Sequence, residues 1–342
     1  MLRLPKYLTN VDRNTRIMDD FVGRENLIPK TRLQELSQRS NLRGAIQTFS
    51  HFGAIGLSGV FLYASINIQT YWSIPVFIVH GILLNYLFAA QHEFNHYTAF
   101  RTRWVNDIFN RITGFLQLYP RDFERWYHFE HHRNTQNWKS DPELISRGQP
   151  YTLYSYLPYL IGVTYWTGRI QRLFSVAFGK TAPYFKEKQA KKVVLESRLH
   201  LVLYFFIILV SIKVESLAVV TYWIAPMFTT KVFQNVQNIT EHTGLSHEPD
   251  TIHNTRTIET WWVFRWLAWN MQYHTAHHTF PSVPFYNLPL LHAELIKHVG
   301  YKPPTTGYLA FQYRFIRRLL IKPESWEGIK EVPEVNPTVQ NF

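Results

Sequence analysis

The sequence predicts an all-α, polytopic membrane protein, with four transmembrane helices in two hairpins and a cytoplasmic helical cap. Three observations carry this. Residues 45–91 contain no Lys, Arg, Asp or Glu, and residues 201–230 contain only Lys213 and Glu215. The other 35 of the 36 Lys and Arg lie in 1–44, 92–200 and 231–342, so the basic excess flanks the apolar segments. Finally, half of the 16 histidines gather in three tight clusters, in a chain without cysteine.

Taken in order, residues 1–44 are mixed and charged, with no apolar core ahead of a cleavage site. They read as a cytoplasmic segment and not as a signal peptide. A bilayer core about 30 Å thick needs roughly 20 helical residues. The charge-free stretch therefore holds two spans, 45–65 and 72–91, joined by the polar "INIQT". A second pair, 199–213 and 216–236, turns near Lys213–Ser216. Two hairpins bring all three basic blocks to one side, which the positive-inside rule makes cytoplasmic. Between the hairpins, Val105, Ile108, Phe109, Ile112, Phe115 and Leu116 recur at helical spacing among polar residues. They suggest an amphipathic helix on the membrane surface. Residues 151–167 are apolar and aromatic but contain Pro158, as an interfacial or half-inserted segment would. Ordinary core helices of a cytoplasmic cap are the plainer reading of both segments.

The net charge is +12 and aromatic content is 16%. Lys and Arg cluster apart from the apolar runs, which is a membrane-surface pattern and not that of a nucleic-acid-binding protein. The lack of cysteine excludes disulfides, thiolate-bound zinc and an iron–sulfur cluster held by this chain.

His92 and His96 stand four apart; "HFEHH" supplies His128, His131 and His132; "HTAHH" supplies His274, His277 and His278. Spacings of three and four put side chains on one helical face, so each box aims two or three imidazoles at one point. That is a metal site. Imidazole suits zinc, copper, iron and nickel. A catalytic zinc takes three protein ligands and a water, and eight box histidines exceed what one ion holds. Two ions sharing eight or nine imidazoles point to redox-active iron. The string "HEFNH" also matches the His-Glu-x-x-His signature of zinc proteases. A membrane metalloprotease and a non-enzymatic metal carrier are therefore competing readings. The soluble di-iron carboxylate pattern needs two Glu-x-x-His motifs and two further glutamates, whereas only Glu93-x-x-His96 is present.

The three boxes, with the flanks "HHRNTQNWKSDPEL" and "HHTFPSVPFYNLPLLH", resemble the membrane fatty acid desaturase and hydroxylase superfamily. The resemblance covers roughly residues 45–295 and leaves 1–44 and 296–342 as cytoplasmic terminal segments. It implies a non-haem di-iron centre that activates O2 and breaks an unactivated C–H bond of a lipid or fatty acyl chain. It also implies a further histidine outside the boxes and an asparagine one turn earlier that reaches metal through water. "NITEH" offers His242 and Asn238 for these roles, which brings the histidines to nine. Glu93, Glu241, Asp141 and Asn270 are candidates to orient the ligand rings.

Some features depart from particular subfamilies. The first box has three intervening residues where acyl-CoA Δ9 desaturases have four. The third box begins with His where front-end desaturases have Gln, and no haem motif marks a fused cytochrome b5. Hydroxylases, carotenoid ketolases, alkane hydroxylases and decarboxylases share the chemistry and stand as alternatives. Electrons would come from an external ferredoxin, rubredoxin or cytochrome b5. Arg101, Arg103, Arg121, Arg125 and Arg133 offer a basic cytoplasmic face for an acidic carrier or for anionic lipid. The sequence suits a bacterial inner membrane and an endoplasmic reticulum alike.

Overall fold

The computed structural model describes residues 27–147, 152–247, 250–300 and 302–321. The expectations for the terminal segments therefore fall partly outside the described residues. Among the described residues the chain is mostly helical. Strand β1 (Thr257–Ile258) and strand β2 (Thr305–Thr306) have two residues each and pair in parallel.

Helix α1 (Lys30–Leu36) leads to α2 (Asn41–Asn67), where the Ser40 side chain accepts the Arg43 amide N–H at 3.3 Å as an N-cap. The buried positions of α2 are Gly44, Thr48, His51, Ser58, Leu62 and Ser65, while Phe49, Leu57, Val60 and Phe61 face outward. Polar inside and apolar outside is the arrangement that lipid stabilises. Helix α3 (Ser73–Asn95) packs along α2. It runs past residue 91, so the first histidine box begins inside the helix.

Helix α4 (Arg103–Leu116) is the expected amphipathic segment. It buries Asn106, Asn110 and Thr113 and exposes Trp104, Ile108 and Ile112, as a helix lying on a bilayer surface would. Helices α5 (Arg121–Asn134) and α6 (Pro142–Arg147) follow. The apolar segment around Pro158 folds as two helices, α7 (Leu153–Leu160) and α8 (Val163–Ala177). They are separated at Gly162, whose φ is +88°, a conformation that suits glycine. Neither helix has the roughly 20 residues a span requires.

Helix α9 (Glu187–Lys213) repeats the inside-out pattern, with Glu196, Ser197 and His200 buried and Val202, Phe205, Phe206 and Ile212 exposed. By length and composition α2, α3 and α9 can each cross a membrane. The stretch expected as a fourth span is also helical, but irregular. A π-helical turn (Val220–Ile224) runs into α10 (Ala225–Thr229), and after Thr230 into α11 (Lys231–His242). Pro226 has no N–H to give the carbonyl of Tyr222, four residues back. That carbonyl instead faces His80 Nε2 of α3 at 2.8 Å. A Cβ on Gly81 would lie 2.3 Å from the Pro226 carbonyl oxygen, so α3 and α10 meet backbone to backbone there.

The remaining helices are α12 (Trp262–Leu267), α13 (His274–Thr279), α14 (Leu288–Val299) and α15 (Tyr308–Ile321). Phe94, Trp269, Phe285, Leu288, Leu291 and Leu295 share one buried cluster, which seats the third-box region against the end of α3. Phe311, Phe315 and Leu319 of α15 pack with Tyr156, Tyr159 and Ile239 of α7 and α11.

Candidate metal centre

Four helix segments deliver the histidines. His92 lies in the last turn of α3 and His96 at its C-cap; the Thr98 hydroxyl donates to the Glu93 carbonyl at 3.1 Å and closes that end. His128, His131 and His132 are on α5, and α11 ends at His242. There the Arg256 guanidinium donates to the carbonyl of Thr243 at 3.2 Å, a cation at a helix C-terminus. The third box occupies α13, after Trp269 and Asn270 turn the chain with φ of +52° and +57°.

All nine imidazoles meet. His92, His96, His128, His132 and His277 form one group whose ligand atoms lie within 4.8 Å of one another; His131, His242 and His278 form another, and His242 also groups with Glu241 and His274. In the first group the Nε2–Nε2 separations are 2.7 Å for His92–His277, 2.9 Å for His96–His128, 2.8 Å for His128–His132 and 3.2 Å for His132–His277. His242 and His274 are 2.8 Å apart in the second. Neighbouring nitrogens around an ion at a typical metal–imidazole distance of about 2.1 Å would lie ~3 Å apart. So many converging lone pairs have too few protons to satisfy one another, and cations satisfy them. Burial, and then the neighbouring imidazoles, hold His128, His132, His277 and His278 well below the ordinary histidine range. They are therefore neutral, the form that binds metal.

Outer contacts aim the rings. His131 Nδ1 donates to Asp141 Oδ1 at 2.9 Å, and His278 Nδ1 sits 3.1 Å from the Thr135 hydroxyl, which leaves each Nε2 turned toward the cluster. Glu241 Oε1 lies 3.8 Å from His274 Nδ1 and accepts from Gln237 at 2.7 Å. Asn238 lines a cavity of about 20 Å³ among His92, His128, His131, His242 and His274, and its Oδ1 accepts the Tyr159 hydroxyl at 2.8 Å.

Two expected orienting residues stand elsewhere. Glu93 Oε1 accepts the Phe285 N–H at 2.9 Å, and Asn270 Nδ2 donates to the Phe285 carbonyl at 3.1 Å. Both fix the backbone after the third box and touch no box imidazole. Asn270 precedes His274 by four residues, but its positive φ breaks the helix, so the two share no face. The basic face also shrinks. Arg121 is buried against Asp107, Asp122 and Tyr97, and Arg125 stacks on the Tyr97 ring at 4.0 Å, so neither can meet a partner. Glu143 went unrecognised in the sequence. Its carboxylate lies 3.8 Å from His128 Nδ1 and 4.0 Å from His131 Nε2. The signal was the string Asp141–Pro142–Glu143, an N-cap followed by Pro at the first helical position. Thr135 was missed as well.

A buried polyhistidine metal site inside a helical chain with three membrane-length helices defines a membrane metalloenzyme. The chain belongs to the fatty acid desaturase family, which it matches over residues 28–308. It is similar to the sn-1 oleoyl-lipid 12-desaturase of Arthrospira platensis, at 26% identity over 250 residues covering 66% of this chain and 69% of the relative. It is also similar to the sn-1 oleoyl-lipid 12-desaturases of Anabaena variabilis (22% over 309 residues, 84% of each chain) and Synechocystis (23% over 299 residues, 80% and 81%). The chain is therefore an oxidoreductase with desaturase chemistry. The protease reading fails on the family.

Proposed function

We propose that the chain crosses the membrane four times, with α2 and α3 as one hairpin and α9 with the α10–α11 run as the other. The histidine boxes then face the cytoplasm, and the site introduces a double bond into an acyl chain of a membrane lipid. The observation that supports this is the convergence of nine imidazoles, eight buried and His242 half-buried, as one group of five beside two smaller groups that share His242. His92, His96, His128, His132 and His277 would hold one iron ion; His131, His242, His274 and His278 would hold the other, with Asn238 reaching it through water. Two iron ions would supply the activation of dioxygen and the removal of two hydrogens.

The net change is –CH2–CH2– + O2 + 2 e⁻ + 2 H⁺ → –CH=CH– + 2 H2O. Its electrons come from an external ferredoxin, rubredoxin or cytochrome b5. The protein's part is positional. Asp141 and Thr135 keep the Nε2 atoms of His131 and His278 aimed inward, and Glu241 sits behind His274. Tyr159 holds the Asn238 amide in one orientation. Burial excludes bulk water. The activity for which the similar desaturases are named, on an oleoyl lipid, supports a lipid substrate.

The test is expression in a desaturase-deficient host with total lipid and pigment profiling, together with iron per chain in the purified protein. Two irons and a new unsaturated acyl lipid are expected. One zinc, or hydroxylated products alone, would overturn the proposal.

A further inference from the structure

Beside the metal cavity lies a second cavity of about 80 Å³, walled by α5, α6, α7, α8 and α11. Phe88, Glu143, Gln234 and Asn238 line both, so the two spaces adjoin. The second one is cationic. Arg169 is 6% exposed, with its guanidinium carbon 3.5 Å from the Tyr119 ring centre and 4.2 Å from that of Tyr165. It gives one hydrogen bond, from Nη1 to the Gln117 carbonyl at 3.2 Å. Among the described residues no carboxylate lies within ion-pair distance of it. Stacking between rings leaves the edge of the guanidinium open, and that edge is where carboxylates and phosphates bind in bidentate fashion. Arg172, one turn along α8, also lines the cavity and reaches the Tyr119 hydroxyl at 3.4 Å. Lys231 is fully buried beside them, with Nζ 3.3 Å from the Tyr165 ring centre. The carboxylates of this neighbourhood are Glu124, which acts on Arg172, and Glu143 at the metal end.

We infer that this chamber receives the anionic end of the acyl substrate, a carboxylate or a phosphate, in the fork of Arg169. It rests on the acyl-chain reading above and adds the head group to it. The chain would then be measured from its head. Lengthening it should leave the new double bond at the same carbon counted from the anchored end.

The test uses the full-length, metal-free protein in nanodiscs, read by quenching of its 11 tryptophans with cis-parinaric acid or its neutral methyl ester. A charge-assisted contact is expected to make the acid bind at least about tenfold tighter than the ester. Arg169→Gln should remove that advantage and leave ester binding alone, and Arg169→Lys should restore part of it. Oleate or oleoyl lysophosphatidate as competitor then identifies carboxylate or phosphate as the source. Equal binding of acid and ester by the native protein would overturn the inference, whether or not the variants fold. So would an Arg169→Gln protein of native unfolding temperature that binds the acid as before. Catalysis is not read in this assay. Selective acid binding by a protein that makes no alkene when loaded with iron would sink the desaturase proposal and leave the subsite standing.

Discussion

Asp141→Asn tests the site through a single atom. Asp141 Oδ1 accepts His131 Nδ1 at 2.9 Å and the Glu143 N–H at 2.9 Å, while Oδ2 accepts the Gln136 N–H at 2.9 Å. A carboxylate serves all three because it is acceptor-only. An amide has one oxygen. If that oxygen replaces Oδ1, the NH2 group meets the Gln136 N–H, and a buried donor loses its partner at a cost of about 1–3 kcal/mol. If the amide flips, its NH2 group faces His131 Nδ1 and favours the tautomer protonated at Nε2, the atom that must bind metal. Either way the negative charge behind His131 is gone. Loss of such an outer partner typically weakens metal binding ~10–100-fold, or about 1.4–2.7 kcal/mol. The assay is retention of ferrous ion per chain against a graded chelator, beside unfolding temperatures of loaded and metal-free protein. A residue that merely caps α6 would lower both unfolding temperatures equally. One that orients His131 also shrinks the gap between them. Native iron retention in Asp141→Asn would refute the assignment.

Four further outcomes are expected. His132→Ala and His277→Ala each remove an inward nitrogen of the five-histidine group and should abolish turnover and lower bound iron; full activity in either would exclude that residue as a ligand. Asn238→Ala should cut activity severely while most iron stays bound, measured as product formed per iron. Gly81→Ala forces a methyl group into the Pro226 carbonyl and should cost about 1–3 kcal/mol of stability, seen as a lower unfolding temperature in detergent. In this cysteine-free chain, single cysteines at the exposed positions Gln69 and Lys213 should label from outside, and those at Lys139 and His253 only after permeabilisation; opposite-side labelling of Lys139 and His253 would contradict the two-hairpin topology.

The histidine cluster was legible because its signal is local. Imidazoles three or four apart on a helix announce themselves, and His242 was singled out through the resemblance of "NITEH" to a known pattern. What escaped depended on tertiary placement. Glu143 and Thr135 touch box histidines only because α6 packs on α5 and α13 brings His278 to Thr135, and no spacing encodes that. Asn270 failed for a backbone reason, since a positive φ cancels the helical period assumed for it. Arg121 and Arg125 looked like surface charge until burial against Tyr97 and two aspartates turned them inward. The apolar run around Pro158 was readable as non-spanning, but Gly162 was the residue that divided it. The three helices long and apolar enough to cross a membrane were plain from charge depletion. The fourth stretch was found as apolar, while its π-helical turn places the Tyr222 carbonyl against His80, a pairing 142 positions apart that composition does not record.

The distribution of the nine imidazoles along the chain has a consequence for biogenesis. Once α9 has been synthesised, the growing chain holds His92, His96, His128, His131 and His132. It lacks His277 of one group and all but His131 of the other. Neither group can close until α11 and α13 have emerged and docked, so on the proposed function a stalled or wrongly inserted chain would not assemble a complete iron site. Metal uptake would then act as a proofreading step on membrane insertion. In an iron-starved cell, correctly inserted chains would accumulate with mutually opposed lone pairs at their centre, and these are the copies that quality-control proteases should remove first.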